Sequence, residues 1–441
     1  MDTVDTLLHA RWVIPIEPDD RVLSEHTLAI HEGRIVALLP TAAARAQYQA
    51  RDEVSLDRHA LLPGLVNAHT HAAMSLLRGL ADDLPLMDWL QHHIWPAEAR
   101  WVNETFVRDG SELAIAEMLR GGITCFNDMY FFPESAARAA RQAGMRATVG
   151  MIVIDAPTAY AKDIDGYLSK GLALHDEYSG DARIRTMWAP HAPYTIGDAT
   201  FEKIQLYAAE LNLGIHIHVH ETRDEIEQSI EKYGLRPLQR LRKLGLIGPN
   251  LVAVHTVHLN PSEIELLAQF GCHSAHCPAS NLKLGSGIAP VAQMLAQGVN
   301  VGLGTDGAAS NNRLDLWSEM RLAALLAKGT SGDPTSVCAH AALRMATVNA
   351  ARALCRDDEI GSLVEGKAAD LIAVNLDQLE LSPCFDIASH LVYVAGRHDV
   401  SHVWVGGELL VEHGRLLHID EAAILATARR WQRRIGPATS C

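Results

Sequence analysis

The chain is poor in positive charge. Lys and Arg number 38 against 53 Asp and Glu, a formal net charge of −15, which argues against a general binder of phosphate backbones, so no nucleic acid is expected as a partner. No apolar run is long enough to cross a bilayer, so no membrane partner is expected either. The opening Met1-Asp2-Thr3-Val4-Asp5 is acidic where a secretory signal would be basic. Seven cysteines (Cys125, Cys272, Cys277, Cys338, Cys355, Cys384 and Cys441) are odd in number and include no Cys-x-x-Cys pair. That pattern disfavours a disulfide framework and points to thiols in a reducing compartment, so a cytoplasmic location is expected. Internal repeats and low-complexity stretches are also missing. What is present is ordinary globular composition, 48% hydrophobic and 21% charged over 441 residues. That length suits one large barrel with a smaller companion.

The two ends read alike. Thr6 to Ile16, Thr27 to His31, Arg34 to Leu39 across a Glu32-Gly33 turn, and Glu53 to Leu56 are short strands, as are Ala369 to Val374, Val400 to Val405 and Glu408 to Glu412, with a tight hairpin at Gly406-Gly407. Residues 1–60 and 361–441 are therefore expected to form one small β-sandwich, the latter segment ending in a helix. Between them, over 61–360, strands alternate with helices. The strands are Leu61 to Val66, Ile123 to Asn127, Arg146 to Val153, Ile184 to Trp188, Gly214 to Val219, Leu251 to Val254, His273 to His276 and Val299 to Leu303. Helices are expected over Phe106 to Arg120, Glu134 to Gln142, Phe201 to Leu211, Arg223 to Leu244 and Pro261 to Phe270, with Leu314 to Lys328 and Thr335 to Leu354 covering the outside. Eight such units close into a parallel (β/α)8 barrel of TIM type, in which chemistry sits where the strands end.

Those ends carry metal-ligating and acidic residues. His69-Thr70-His71 follows the first run, and a spacing of two puts both imidazoles on one face of an extended chain. In Gly214-Ile215-His216-Ile217-His218-Val219-His220-Glu221 three histidines alternate, and spacing alone leaves the ligand open among them. His218, near the end of the run, is preferred, with His216 and His220 as packing or supporting groups and Glu221 able to bend back toward a substrate. At the sixth strand either His255 or His258 could point inward; His255 is the first residue past the apolar run. Asp306 closes the eighth strand in Gly304-Thr305-Asp306-Gly307. Three histidines and an aspartate gathered at one point can hold a divalent ion and leave a position for water, which makes hydrolysis the first chemistry to consider.

Pro63-Gly64-Leu65-Val66-Asn67-Ala68-His69-Thr70-His71, His218-x-x-Glu221 and Gly304-Thr305-Asp306-Gly307 resemble the metal-dependent amidohydrolase superfamily. Leu76-Leu77-Arg78-Gly79-Leu80-Ala81-Asp82-Asp83-Leu84, Pro278-Ala279-Ser280-Asn281-Leu282-Lys283-Leu284 and Asp306 to Asn312 are similar to its 5′-methylthioadenosine/S-adenosylhomocysteine deaminases. The resemblance implies a small-molecule adenine nucleoside as substrate, a homo-oligomer, and one Zn2+ per subunit, with Fe2+ as a substitute, on His69, His71, His218 and Asp306. The fourth strand, Ile184 to His191, lacks the lysine that two-metal relatives carboxylate. By the same resemblance Glu221, His255 and Asp306 are catalytic: Glu221 protonates N1 of adenine, His255 aligns the attacking water and Asp306 takes its proton. His191 and Glu98 contact substrate, Glu98 through the ribose hydroxyls, and Trp89 with Leu84, Leu86 and Met87 lines a pocket for the thioether. Related enzymes that act on free nucleobases or triazines share much of this pattern. One departure concerns the 5′ substituent: Val149-Gly150-Met151 stands where some of these deaminases carry an arginine, which would tilt preference away from an amino-acid tail.

Overall fold

A computed structural model describes residues 1–436; Cys441 lies outside them. The described chain forms two compact units, one from residues 1–67, 116–125 and 315–419 and the other from residues 68–115, 126–314 and 420 onward. No helix among the described residues is long and apolar enough to cross a membrane.

The parallel sheet has eight strands in strict sequence order: Leu65–Thr70, Ile123–Asp128, Arg146–Val153, Ile184–Pro190, Ile215–Val219, Leu251–His255, His273–His276 and Asn300–Leu303. The first and the last are joined just past their ends, where the amide of Asp306 donates to the carbonyl of His69 at 3.0 Å. Almost every residue of these strands is buried, as expected of strands covered on both faces. In the fifth strand alternation puts Ile215, Ile217 and Val219 on one face and His216 and His218 on the other, all buried. Inward polar groups are thus bought with outward aliphatic ones, each worth about 1.5–3 kcal/mol when fully buried.

The strands from the two ends form one continuous ladder, in the order Arg415–Leu416, Glu408–Glu412, Val400–Val405, Leu371–Asn375, Tyr48–Pro63, Asp2–Val13, Leu23–His31, Arg34–Pro40. Its apolar core joins Leu8, Val13, Leu28 and Ile30 to Leu61, Leu371 and Trp404. The expected tight turns are there: Glu32 and Gly33 have φ of 49° and 74°, and Gly406 and Gly407 of 58° and 76°, the left-handed pair that two-residue hairpins require. The two tips touch, since a Cβ on Gly33 would lie 2.5 Å from the carbonyl oxygen of Gly406. No side chain fits there.

Among the boundaries that differ from the sequence reading, three have a clear local reason. Leu61 to Val66 is not one strand: Leu61, Leu62 and Pro63 finish the long strand of the terminal sheet, and the barrel strand starts at Leu65. Gly64 separates them against Thr124, whose Oγ1 a Cβ would meet at 2.1 Å. Arg223 to Leu244 is two helices, Arg223–Tyr233 and Pro237–Lys243, because Gly234 caps the first in the left-handed region and Pro237 starts the second. Thr335 to Leu354 likewise divides into Ala339–Met345 and Val348–Ala353 around a non-helical Thr347.

Candidate active site

At the carboxyl ends of the barrel strands the chain turns sharply. His220, His255, Thr256 and Asp306 have φ of 58°, 71°, 48° and 59°, left-handed values that cost an L-residue roughly 1–2 kcal/mol each. Local hydrogen bonds hold one of these turns in place. Thr222 caps the helix Arg223–Tyr233, and Glu225 in its first turn accepts from the amides of His220 at 3.0 Å and Glu221 at 2.8 Å. The turn thereby directs Glu221 back over the strand ends.

Four donor atoms converge. His69 Nε2 lies 3.2 Å from His218 Nε2 and 3.3 Å from Asp306 Oδ1, and His71 Nε2 is also 3.3 Å from Asp306 Oδ1. The outer nitrogens are engaged elsewhere: His71 Nδ1 donates to the Met129 carbonyl at 2.5 Å and His218 Nδ1 to the His191 carbonyl at 2.7 Å. Those bonds leave bare lone pairs on both inner nitrogens. His69 Nδ1 is 2.9 Å from His216 Nε2, so His216 supports a candidate ligand and is not one itself. His220 contacts the His258 carbonyl and the Leu238 amide, away from the cluster. Bare lone pairs facing one another need a cation between them. For ligand bonds of about 2.0–2.1 Å a tetrahedral edge is about 3.3–3.4 Å, which these three separations match; the donors group as His69, His71 and His218 and as His69, His255 and Asp306, each set within 4.8 Å. The donor set therefore fits a single divalent ion.

Electrostatics prepares the same atoms. Burial holds His69 at about 4 and His191 at about 3, and drives His218 and His216 well down, so these imidazoles are neutral. For Asp306 burial works upward, but the His69 hydrogen bond and the neighbouring imidazoles outweigh it and keep the group ionised. Its Oδ2 accepts from Ser280 Oγ at 2.6 Å and Ser310 Oγ at 3.0 Å, and its Oδ1 from the Gly307 amide at 2.8 Å. Glu221 behaves in the opposite way. Burial, reinforced by the Asp306 charge, raises it above the usual carboxyl range against the pull of His255 and Ser286. Its Oε2 is 3.7 Å from His255 Nε2 and its Oε1 accepts from Ser286 Oγ at 3.3 Å. His255 Nδ1 is fixed by Asn281 Oδ1 at 2.8 Å. Two carboxyl groups side by side, one pushed down and one pushed up from the ordinary carboxylate range, are what a base and an acid require.

His71, His218, Glu221, His255 and Asp306 form the floor of a cavity of about 660 Å3, and His69 lies fully buried behind them. Glu98, His191 and Trp89 line the same cavity. Glu98 accepts from the Tyr130 hydroxyl at 2.7 Å, and burial pushes it up to about 7. Trp89 spends its indole N–H on the Ala81 carbonyl, so only its apolar surface faces inward. The wall beyond is aliphatic, with Leu86, Leu90, Ile94, Ile152 and Ile154, and no lysine or arginine is among the described residues lining it. A Cβ on Gly150 would lie 2.7 Å from both Ala189 Cβ and the Asp128 carbonyl, so no side chain can issue from that position. The sequence-predicted site residues are gathered here except Leu84 and Met87, which are not among the residues lining the cavity. Tyr130, Ser280, Asn281, Ser286, Ser310 and Glu225 were not foreseen in a role. Tyr130, two residues past the second strand, obeys the same strand-end logic and could have been found by it.

Residues 60–410 match the amidohydrolase family. A protein from Teredinibacter turnerae named 5-methylthioadenosine/S-adenosylhomocysteine deaminase is 49% identical over 434 residues, 98% of each chain. A Methanosarcina mazei protein named 5′-deoxyadenosine deaminase is 41% identical over 97% of each. Among solved structures, an adenosine deaminase from Xanthomonas campestris with bound zinc superposes with a TM-score of 0.98 at 49% identity, covering 98% of this chain and 99% of that one.

Proposed function

The chain belongs to the amidohydrolase family, and from that premise we propose that it is a zinc-dependent aminohydrolase converting the adenine of 5′-methylthioadenosine to hypoxanthine with release of ammonia. S-adenosylhomocysteine and adenosine are poorer substrates in this reading. Its strongest support is the buried Glu221, raised by burial and facing His255, beside Asp306, which is held low, the acid and base that exchange of a ring amine for hydroxyl demands.

His69, His71, His218 and Asp306 would hold the ion. Zinc suits three imidazoles and a carboxylate, and a zinc-containing relative shares 49% of the sequence. When bound, such an ion lowers the pKa of a water toward about 7 and so makes it a nucleophile at neutral pH. The protein's own groups do the rest. Glu221 Oε2 passes its proton to N1 of the ring, drawing electrons from C6. Asp306 accepts a proton from the water that adds at C6 and returns it to the amino group, which departs as ammonia, while the remaining hydroxyl proton goes back to Glu221 as the C6 carbonyl forms. His255, locked by Asn281, keeps Nε2 toward the reacting oxygen. His191 stays neutral and contacts the base without repelling a protonated ring. Glu98, with one oxygen occupied by Tyr130, offers the other to the ribose diol.

The far wall selects the 5′ substituent. An aliphatic surface without a cation welcomes a methylthio group and leaves the zwitterionic tail of S-adenosylhomocysteine unpaired, a desolvation penalty for the larger substrate. The decisive experiment is an absorbance assay of adenine-to-hypoxanthine conversion with 5′-methylthioadenosine, S-adenosylhomocysteine, adenosine, guanine and a chlorotriazine, before and after chelation. Turnover of 5′-methylthioadenosine, lost on chelation and restored by zinc, is expected. Turnover confined to the free base or the triazine would overturn the assignment, and equal kcat/KM for the two thioether nucleosides would overturn the role of the wall.

A further inference from the structure

A second group of nitrogen and oxygen donors stands in the sheet built from the chain's two ends. His402 lies on the strand Val400–Val405, and Glu412 ends its hairpin partner Glu408–Glu412. Val403 pairs with Val411, which places Glu412 opposite His402 on the next rung, and residues so paired carry their Cβ atoms about 4.5–5.5 Å apart. His413 follows with a left-handed φ of 48°, bending its side chain back over the hairpin, and its ring centroid is 4.8 Å from that of His402. One ligand atom from each of His402, Glu412 and His413 falls within 4.8 Å of the others. From two strands away His59 presents its ring edge to His402 at 6.1 Å, and its buried Nδ1 has no hydrogen-bond partner.

The hydrogen bonds decide which atom of His402 is available. Ser401 Oγ donates to the Ala373 carbonyl at 3.0 Å, so toward His402 Nδ1, at 2.8 Å, it accepts. The proton of His402 is therefore on Nδ1, and Nε2 carries a lone pair. That lone pair makes His402 Nε2 a ready ligand atom.

We infer that His402, Glu412 and His413 form a second divalent-metal site, built for a first-row transition ion such as zinc or nickel, with His59 beside it as a further nitrogen for the ion's water. Two imidazoles and one carboxylate match the preference of such ions over magnesium or calcium. Glu412 and His413 are exposed, so the ion enters from solvent, and the bond across the hairpin staples the last two long strands of the sheet. This proposal stands apart from the barrel chemistry.

The test is equilibrium dialysis of the full chain against micromolar zinc, with zinc per chain measured by elemental analysis, on the wild type and on His413→Ala and Glu412→Ala. Both substitutions are at exposed positions outside the catalytic cavity. Two zinc ions per wild-type chain and one per variant chain, with turnover changed less than twofold, are expected. Carbethoxylation of His413 should also slow several-fold in the presence of zinc. One zinc per wild-type chain, two in both variants, or modification of His413 at a rate indifferent to zinc would overturn the site.

Discussion

The two histidine clusters of this chain differ in how firmly their atoms are held. In the barrel, His71 and His218 have their outer nitrogens tied to backbone carbonyls, His69 is backed by His216, and Asp306 accepts three hydrogen bonds. Around the terminal hairpin only His402 is tied, and its partners face solvent. The first arrangement is organised before any ion arrives and lies buried at the floor of a cavity; the second must draw exposed side chains together. A fixed set of dipoles in a dry site is what catalysis requires, whereas a surface clip needs only proximity.

The sharpest break in that comparison is Glu221→Gln. It removes a proton donor and leaves the ligands untouched, so turnover should fall about 10²–10⁴-fold while elemental analysis still finds the barrel ion. Retained turnover would remove Glu221 from its role. Next comes the scaffold around Asp306. The double change Ser280→Ala and Ser310→Ala strips both donors from Oδ2, and a loss of roughly 10–100-fold in metal affinity or activity is expected, measured by competition with a chelator. An unaffected affinity would mean that the burial of Asp306 suffices.

Smaller still is the effect at the ribose end. Glu98→Gln should raise KM by about tenfold, as for one hydrogen bond to a charged group, with kcat nearly unchanged. Because Glu98 is raised to about 7 by burial, its ionised form gains as pH rises through that value. KM should therefore fall between pH 6 and about pH 8, and the Gln variant should lose that slope. The least effect on turnover belongs to His413→Ala, which should change it less than twofold while removing one zinc per chain.

Much of the barrel was legible because its signals are local. Each candidate ligand follows an apolar run, and a run that ends in His or Asp declares both the strand and its candidate functional end, as in Gly304-Thr305-Asp306. The alternation of His216, His218 and His220 could not be resolved from spacing, since all three share a phase until the left-handed turn at His220 turns the last one away. Ser280 and Asn281, quoted only as part of a motif, and Ser286 were given no role for a different reason. Their roles arise from contacts with Asp306, His255 and Glu221 far off in the chain, and nothing in a serine's neighbours along the sequence reports on that. The break at Gly64 was hidden too, because Leu61 to Val66 is uniformly apolar and only the crowding by Thr124 shows where one strand gives way to the next.

The hydrogen bond from the Asp306 amide to the His69 carbonyl means that the reaction centre is also the buckle of the barrel. Both residues that fasten the first strand to the last also belong to the candidate metal site, their side chains 3.3 Å apart, so loss of an ion held there is expected to loosen the seam from inside. Isotope exchange at that amide would then report metal loss before any change in the bulk of the fold, linking the wear of the catalyst to the integrity of its scaffold at a single peptide group.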